Sequence, residues 1–259
     1  MFKDRRAFAG FFAGATLATA LVSTFSVAQD TVSPPVYGGV NFRVRGVFVT
    51  PVAGSPFTAT ALIESSRPLP DGTVETQRTI NKIARDSQGR IHNERRRLMP
   101  DSYKGTPALL ETHLFDPQTR LNTFFEPYSR VARQSILPSL PRNPALATQN
   151  GVGTVVRSPW VKEEGLGSTT LNGLTAKGLR RTRTIDAKIS GTGKPVEVVD
   201  EYWYSEDLHL NLLVHHTDPR SGEQTVAISD IQRADPPAAM FEVPAGFKTV
   251  DVTPPAEEK

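Results

Sequence analysis

Five histidines are the residues best equipped for chemistry in this chain: His92, His113, His209, His215 and His216. The last two sit in His215-His216-Thr217-Asp218, which offers imidazole and carboxylate groups of the kind that hold a metal and activate water. In a strand, adjacent residues point to opposite faces, so only one of the pair can reach a given metal. His209 and His215 share the parity of Asn211 and Leu213, away from the face made by Leu208, Leu210, Leu212 and Val214. A metal-assisted hydrolase using His215 or His216 with Asp218 is therefore the alternative reading. Polar-face histidines near a turn are the preferred one, and no metal site is assigned.

Other catalytic signatures are missing. The chain has no Gly-x-Ser-x-Gly, no His-Glu-x-x-His and no cysteine. Gly191-Thr192-Gly193-Lys194 resembles part of a phosphate loop, but Lys188 stands where that loop needs glycine, and no long helix follows. Glu163-Glu164 and Glu206-Asp207 read as solvated loop acids rather than an acid/base pair. The expectation is a protein that is not an enzyme, with no catalytic residue and no cofactor.

Two kinds of binding residue remain. Tyr202, Trp203, Tyr204 and Trp160 are ligand-binding candidates; alternation puts Tyr202 and Tyr204 on one face and Trp203 on the other. Arginine and lysine cluster twice, at Arg78, Lys82, Arg85, Arg90, Arg95, Arg96 and Arg97, and at Lys177, Arg180, Arg181, Arg183 and Lys188. Gathered on one sheet face, these would suit anionic lipid headgroups or acidic envelope polymers, with Arg95, Arg96, Arg97, Arg180 and Arg181 as the contacts. The competing reading is a solvated face whose arginines pair with acids on neighbouring strands.

The elements that must position these residues are strands. Val40 to Thr50 alternates, with Val40, Phe42 and Val44 on one side, and Phe57 to Glu64 repeats the pattern. Pro70-Asp71-Gly72 is a turn, and Thr79–Arg85 and Arg90–Leu98 flank Asp86-Ser87-Gln88-Gly89 as a hairpin. His113–Phe115 and Arg120–Phe125 flank Asp116-Pro117-Gln118-Thr119 likewise. Further strands are expected at Ser168–Asn172, Thr175–Ile185, Val196–Ser205, Leu208–His216, Thr225–Ile231 and Phe241–Pro244. No window carries a helical stripe of three turns, and the only helix candidates are Pro237–Met240 and Pro144–Thr148. Strands joined by tight turns run antiparallel, because parallel strands need long crossovers. The expected fold class is mainly β (α+β at most): a large curved antiparallel meander, half-barrel-like, with few short helices.

The chain ends address compartment. Lys3, Arg5 and Arg6 precede an apolar run from Ala7 to Val22, and Ser26-Val27-Ala28 supplies a small-residue cleavage site. The run falls short of the ~20 residues a spanning helix needs. Asp4-Arg5-Arg6-Ala7-Phe8 also fits the twin-arginine export route. The expected organisation is a signal peptide at 1–28, a flexible leader at 29–39, one antiparallel β-sheet domain at 40–250 with a Pro-rich loop at 137–153, and a disordered tail at 251–259. Removing the signal takes Lys3, Arg5, Arg6 and Asp4 with it, so the net charge of +3 falls to +1 and no partner is implied by charge alone. The protein is expected to be exported, periplasmic or extracellular, without a transmembrane helix after cleavage. That location makes nucleic acid an unsuitable partner.

Several phrases, in order, resemble a group of uncharacterised secreted bacterial proteins. They are Asp71-Gly72-Thr73, Arg85-Asp86-Ser87-Gln88-Gly89-Arg90 with Glu94, Leu166-Gly167, Asn172-Gly173-Leu174 and Gly178-Leu179-Arg180. Glu201-Tyr202-Trp203-Tyr204-Ser205 with Leu208, Asp218-Pro219-Arg220-Ser221-Gly222-Glu223 and Phe241-Glu242-Val243-Pro244 complete the set. The match spans roughly 55–248 and is weakest over 100–160. More distantly, a strand meander ending in Phe-x-Val-Pro-x-Gly-Phe is similar to the half-barrel superfamily of outer-membrane lipoprotein carriers and periplasmic stress sensors. That resemblance implies a curved antiparallel sheet around a hydrophobic hollow, and with it a lipid or other amphipathic ligand, or an envelope protein as partner. It transfers no activity to any residue. The third expectation is an interaction module whose basic face docks on anionic envelope polymer.

Overall fold

The computed structural model describes residues 49–137 and 159–254, all within the compact unit Ser33–Lys259. The expected signal peptide, leader, Val40–Phe48, helical turn at Pro144–Thr148 and most of the Pro-rich loop lie outside the described residues.

Alternation does most of the building. In β1 (Phe57–Pro68), Phe57, Ala59, Ala61 and Ile63 are buried while Thr58, Thr60, Leu62 and Glu64 are not. In β11 (Leu210–Asp218) the same pattern runs through Leu210, Leu212, Val214 and His216. Such a strand has one apolar side and packs as part of a sheet with one face toward a core. The remaining strands are β2 (Val74–Arg85), β3 (Ile91–Arg96), β4 (Met99–Pro100), β5 (Leu109–Asp116), β6 (Leu121–Phe125), β7 (Val131–Ile136), β8 (Val161–Leu171), β9 (Leu174–Ile185), β10 (Val196–Ser205), β12 (Gly222–Gln232) and β13 (Lys248–Asp251).

They form one curved, unclosed 13-stranded sheet. The order is β13-β7-β6-β5-β3-β2-β1-β12-β11-β10-β9-β8, with β4 on β2. Two sequential meanders, β1–β7 and β8–β12, meet where β12 pairs antiparallel with β1, Ala61 opposite Ile228 and Ile63 opposite Val226. The expected fold class holds, and among the described residues there is no α-helix. Pro237–Met240, a helix candidate, is a single 3-10 turn at Ala238–Phe241. No helix among the described residues is long and apolar enough to cross a membrane.

Three segments depart from expectation. Phe241–Pro244 is not a strand; it leaves the 3-10 turn as irregular chain. Pro244 has no N–H to give a ladder, and Val243 and Phe247 instead pack on Leu114, Phe125 and Ala132. Lys248–Asp251 pairs parallel with β7, Asp251 opposite Gln134, at the position where the tail was expected to begin. His209 is in a turn with φ 47°, so strand parity does not apply to it.

The main core lies on one face. Val49, Phe57, Ala59, Ala61, Ile63, Ile83, Ile91, Phe115, Leu174, Ala176, Leu208, Leu210, Leu212, Val214, Val226 and Ile228 form one cluster. The smaller cluster of Leu114, Phe125 and Ala132 lies on the opposite face under the C-terminal segment.

One residue joins the framework at depth. Arg85 has no solvent exposure. It donates to the Thr50 carbonyl (2.7 Å), to the Ser55 carbonyl from two nitrogens (2.9 and 2.7 Å) and to the Leu208 carbonyl (2.7 Å). Its guanidinium lies 5.1 Å above the Phe57 ring. Burial lowers its pKa to about 10, and it stays charged at neutral pH. Arg85 was expected in a basic surface; it is instead a pin holding the 50–55 loop and the Leu208 turn to β2. A guanidinium suits this work because its planar donors reach several carbonyls at once.

Candidate functional site

Pairing carries one face from strand to strand: Phe57 opposite Arg85, Arg85 opposite Ile91, Ile91 opposite Phe115, Phe115 opposite Asn122, and Asn122 opposite Ser135. The core face therefore continues past the apolar cluster onto β3, β5, β6 and β7, and its chemistry changes on the way. Toward β7 it presents Asn81, Asn93, Arg95, Glu111, His113, Asn122, Phe124, Arg133 and Ser135, all of like parity across the paired strands. One half of this face is apolar and the other polar.

The polar half is built rather than merely wet. His113 and Asn122 are both buried, and His113 Nε2–H donates to Asn122 Oδ1 at 2.6 Å. The His113 ring stacks on Phe124 with centroids 4.3 Å apart. Arg95 lies 3.8 Å from buried Glu111. Arg133 lies 3.9 Å from Glu126, both about half exposed. A cavity of about 300 Å³ opens here, lined by Glu111, Asn122, Phe124, Glu126, Arg133, Ser135 and Val252. That volume is at the lower end of the range small-molecule sites occupy. Six side-chain atoms among the described residues are buried without a hydrogen-bond partner; Thr79 Oγ1, Asn81 Nδ2, Asn93 Oδ1 and Arg95 Nε belong to this face, and His92 Nε2 and Ser205 Oγ lie elsewhere. Such groups are uncommon in folded proteins and ask for a water or ligand. Sequence reasoning missed this site. The available signal was the alternation Asn122/Phe124 and Arg133/Ser135 set against Thr123/Phe125 and Ala132/Gln134, in strands too short and polar to draw notice.

The expected candidates are scattered by comparison. Tyr202 and Trp203 both pack against the main core cluster. Alternation does not separate them, because Trp203 lies over Gly178, whose parity on β9 is that of the core residues Leu174 and Ala176. The Tyr204 hydroxyl lies 3.3 Å from His209 Nδ1, and burial raises its pKa. Trp160 is 52% exposed at the start of β8, away from the other three in sequence and strand order.

The histidines are all engaged. His92 Nδ1–H donates to the Met240 carbonyl (2.7 Å). His215 lies 2.9 Å from Thr225 Oγ1 and 3.2 Å from Thr217 Oγ1. His216 Nδ1–H donates to Asp200 at 2.6 Å. Asp218 is taken by Arg220, 2.7 and 2.9 Å away, and that bond lowers its pKa to about 2. Among the described residues no group of three or more His, Cys, Asp or Glu is placed to hold a metal.

The basic clusters are laced to acids. Arg78 meets Glu64 and Asp101, each at 2.7 Å. Arg90 meets Asp86 at 2.6 Å, and Arg96 meets Glu94 at 2.9 Å. In the second cluster Arg180 meets Glu201 and Glu164 (2.7 and 3.3 Å), Arg181 meets Glu163 (2.7 Å) and Lys177 meets Glu206 (2.7 Å). Arg97 is exposed. Glu163 and Glu164 thus belong to strand β8, not to a loop, and sit opposite Arg181 and Arg180 in the ladder.

No family model matches this chain, and no curated protein sequence matches it. Several solved structures do. A chain of the Pseudomonas aeruginosa MucA/MucB complex aligns at TM-score 0.39 and 13% identity over 76% of this chain, which spans 58% of that chain's length. An uncharacterised conserved protein from Thermus thermophilus aligns at 0.39 and 12%, over 76% of this chain and 90% of that one. A LolA superfamily protein from Nitrosomonas europaea aligns at 0.30 and 14%, over 80% and 95%. The likeness is distant in every case. At this distance it brings no function with it.

Proposed function

We propose that this is an exported, non-enzymatic protein that binds a lipid or other amphipathic ligand, or an envelope partner, at the polar end of its curved sheet. One observation carries the reading: the cavity on the β5–β6–β7 side combines buried polar groups with an aromatic face and an exposed apolar rim. Phe124 and Val252 line it. Val252 is 48% exposed. A ligand with a polar head and an apolar body matches both parts of that surface. In this reading the signal occupies residues 1–28, the leader 29–39, and a single sheet domain, expected at 40–250 and extended to include Val252, does the binding. Tyr202, Trp203, Tyr204 and Trp160 become secondary candidates for the apolar body. The ion pairs of Arg95, Arg96, Arg180 and Arg181 weigh against a bare positive surface.

The test is native mass spectrometry and solvent extraction of the protein purified from its own host. Co-purification of an amphipathic species, or of an envelope protein, is expected. Protein that carries neither, from membranes containing the full lipid complement, would overturn the reading.

A further inference from the structure

The charges around the cavity have an order that narrows the ligand. On β5, Glu111 is buried with its side chain only 7% exposed, and Arg95 on β3 lies 3.8 Å from it, too long for a hydrogen bond, so an ammonium would share that carboxylate with Arg95. Next to β5 is β6, which contributes the Phe124 ring, already backed by His113. Beyond it, β7 carries Arg133 opposite Phe124. Acid, aromatic face and guanidinium therefore follow one another across three neighbouring strands, with about 10 Å between the outer two backbones. An ammonium is held by a carboxylate and by the face of an aromatic ring. A phosphate or carboxylate is held by a guanidinium, which takes two oxygens at once. Arg133 is available for this, because its contact with Glu126 is 3.9 Å long and both groups are about half exposed. Such a pair is weak and is readily exchanged for a better partner. Asn122 and Ser135 line the cavity one row beyond Phe124 and Arg133, on the side away from Glu111, and add neutral polar groups there.

We infer that this cavity binds a small zwitterion, an ammonium and a phosphate joined by a short linker, with the ammonium at Glu111 and Phe124 and the phosphate at Arg133. The inference rests on the proposed function, and it names the polar head that the site selects. Two sources share this chemistry: the head of an ethanolamine phospholipid and free phosphoethanolamine.

Binding of free phosphoethanolamine by the full chain after signal removal, followed by calorimetry, tests the chemistry. Co-sedimentation with vesicles of phosphatidylethanolamine in phosphatidylglycerol, against phosphatidylglycerol alone, tests the source. Saturable binding of the free compound is expected, and Glu111→Gln and Arg133→Gln should each weaken it roughly tenfold to a hundredfold, the loss typical of a charge-assisted hydrogen bond. Arg133 is exposed, so R133Q folds even if E111Q does not. Vesicle binding that needs phosphatidylethanolamine and is weakened by R133Q assigns the phospholipid; binding of the free compound alone assigns the soluble zwitterion. Absence of binding to both probes, or binding indifferent to both substitutions, overturns the inference. If that result comes with an amphipathic species still co-purifying, the zwitterion is wrong and the proposed function stands.

Discussion

Replacing Arg85 should destabilise the protein more than any change on its charged surface. The guanidinium satisfies the buried carbonyls of Thr50 and Leu208 and the part-buried carbonyl of Ser55 through four N–H···O contacts of 2.7–2.9 Å. Arg85→Met keeps much of the stem volume and strands all three. An orphaned acceptor costs about 1–3 kcal/mol, the upper part of that range at the two buried carbonyls and the lower at Ser55, so the loss is roughly 6 kcal/mol. Against it stands the relief of no longer burying a charge. The fall of the Arg85 pKa from 12.5 to about 10 sets that relief at roughly 3 kcal/mol. The net for R85M is therefore about 3 kcal/mol of destabilisation, or a fall in Tm of roughly 6–12 °C for a domain of this size. Arg85→Ala adds an unfilled volume beside Phe57 and should lose about 1–2 kcal/mol more. Arg85→Lys keeps the charge but reaches fewer carbonyls, and should fall between wild type and R85M. Urea unfolding followed by tryptophan fluorescence, at matched slopes, reads all three. If R85M lies within about 0.5 kcal/mol of wild type, a size ordinary for surface changes, the pinning role is wrong.

Three further expectations follow from other sites. Asp218 has its pKa lowered from 3.8 to about 2, chiefly by Arg220; a depressed carboxylate stabilises above its unfolded pKa and loses that contribution as pH falls through the folded one, so stability should drop by about 1–2 kcal/mol between roughly pH 4 and 2, and D218N should remove that slope in acid titration of the unfolding free energy. Gly222 has φ 100° and a Cβ there would overlap the Ser66 carbonyl oxygen, so G222A should destabilise by about 3 kcal/mol in thermal melts; near-neutral melting would mean the β1 end and this turn are not in contact. A Cβ on Gly178 would stand 2.8 Å from Leu166 Cβ and from the Trp203 ring, so G178A should shift Trp203 emission and cost about 1–3 kcal/mol, and an unchanged spectrum would refute that packing.

The local architecture was readable because local rules govern it. Period-2 alternation found β1, β9, β10, β11 and β12, and turn chemistry found the hairpin at Asp86–Gly89, where Gly89 has φ 84° and Asp86 Oδ1 accepts from the Gln88 and Arg90 amides. Pairings between distant strands left no such trace. Nothing in the sequence of β13 announces a parallel partner, and β1 finds β12 only in the folded sheet. The cavity was not legible, but the buried pin was in part. Thr79, Asn81, Ile83 and Arg85 share one parity, so the pattern already turned Arg85 inward with Ile83; its charge argued for the surface, and carbonyls from two remote turns decided the matter. The acids that pair Arg180 and Arg181 come from both neighbouring strands, which makes an ionic ladder out of what composition alone presents as a positive cluster.

The seam between β1 and β12 also shapes how the chain reaches its fold. Most connections within each meander are hairpins of two to five residues, which form quickly. The seam joins Thr58 to Gln232, and its large loop-closure entropy is lost before any of its contacts form. Before that step, β1 and β12 are two exposed edges with apolar faces, the geometry most open to pairing with another chain. For this sheet the hazardous interval of folding is therefore the wait for its own middle, and a chaperone would serve it best there.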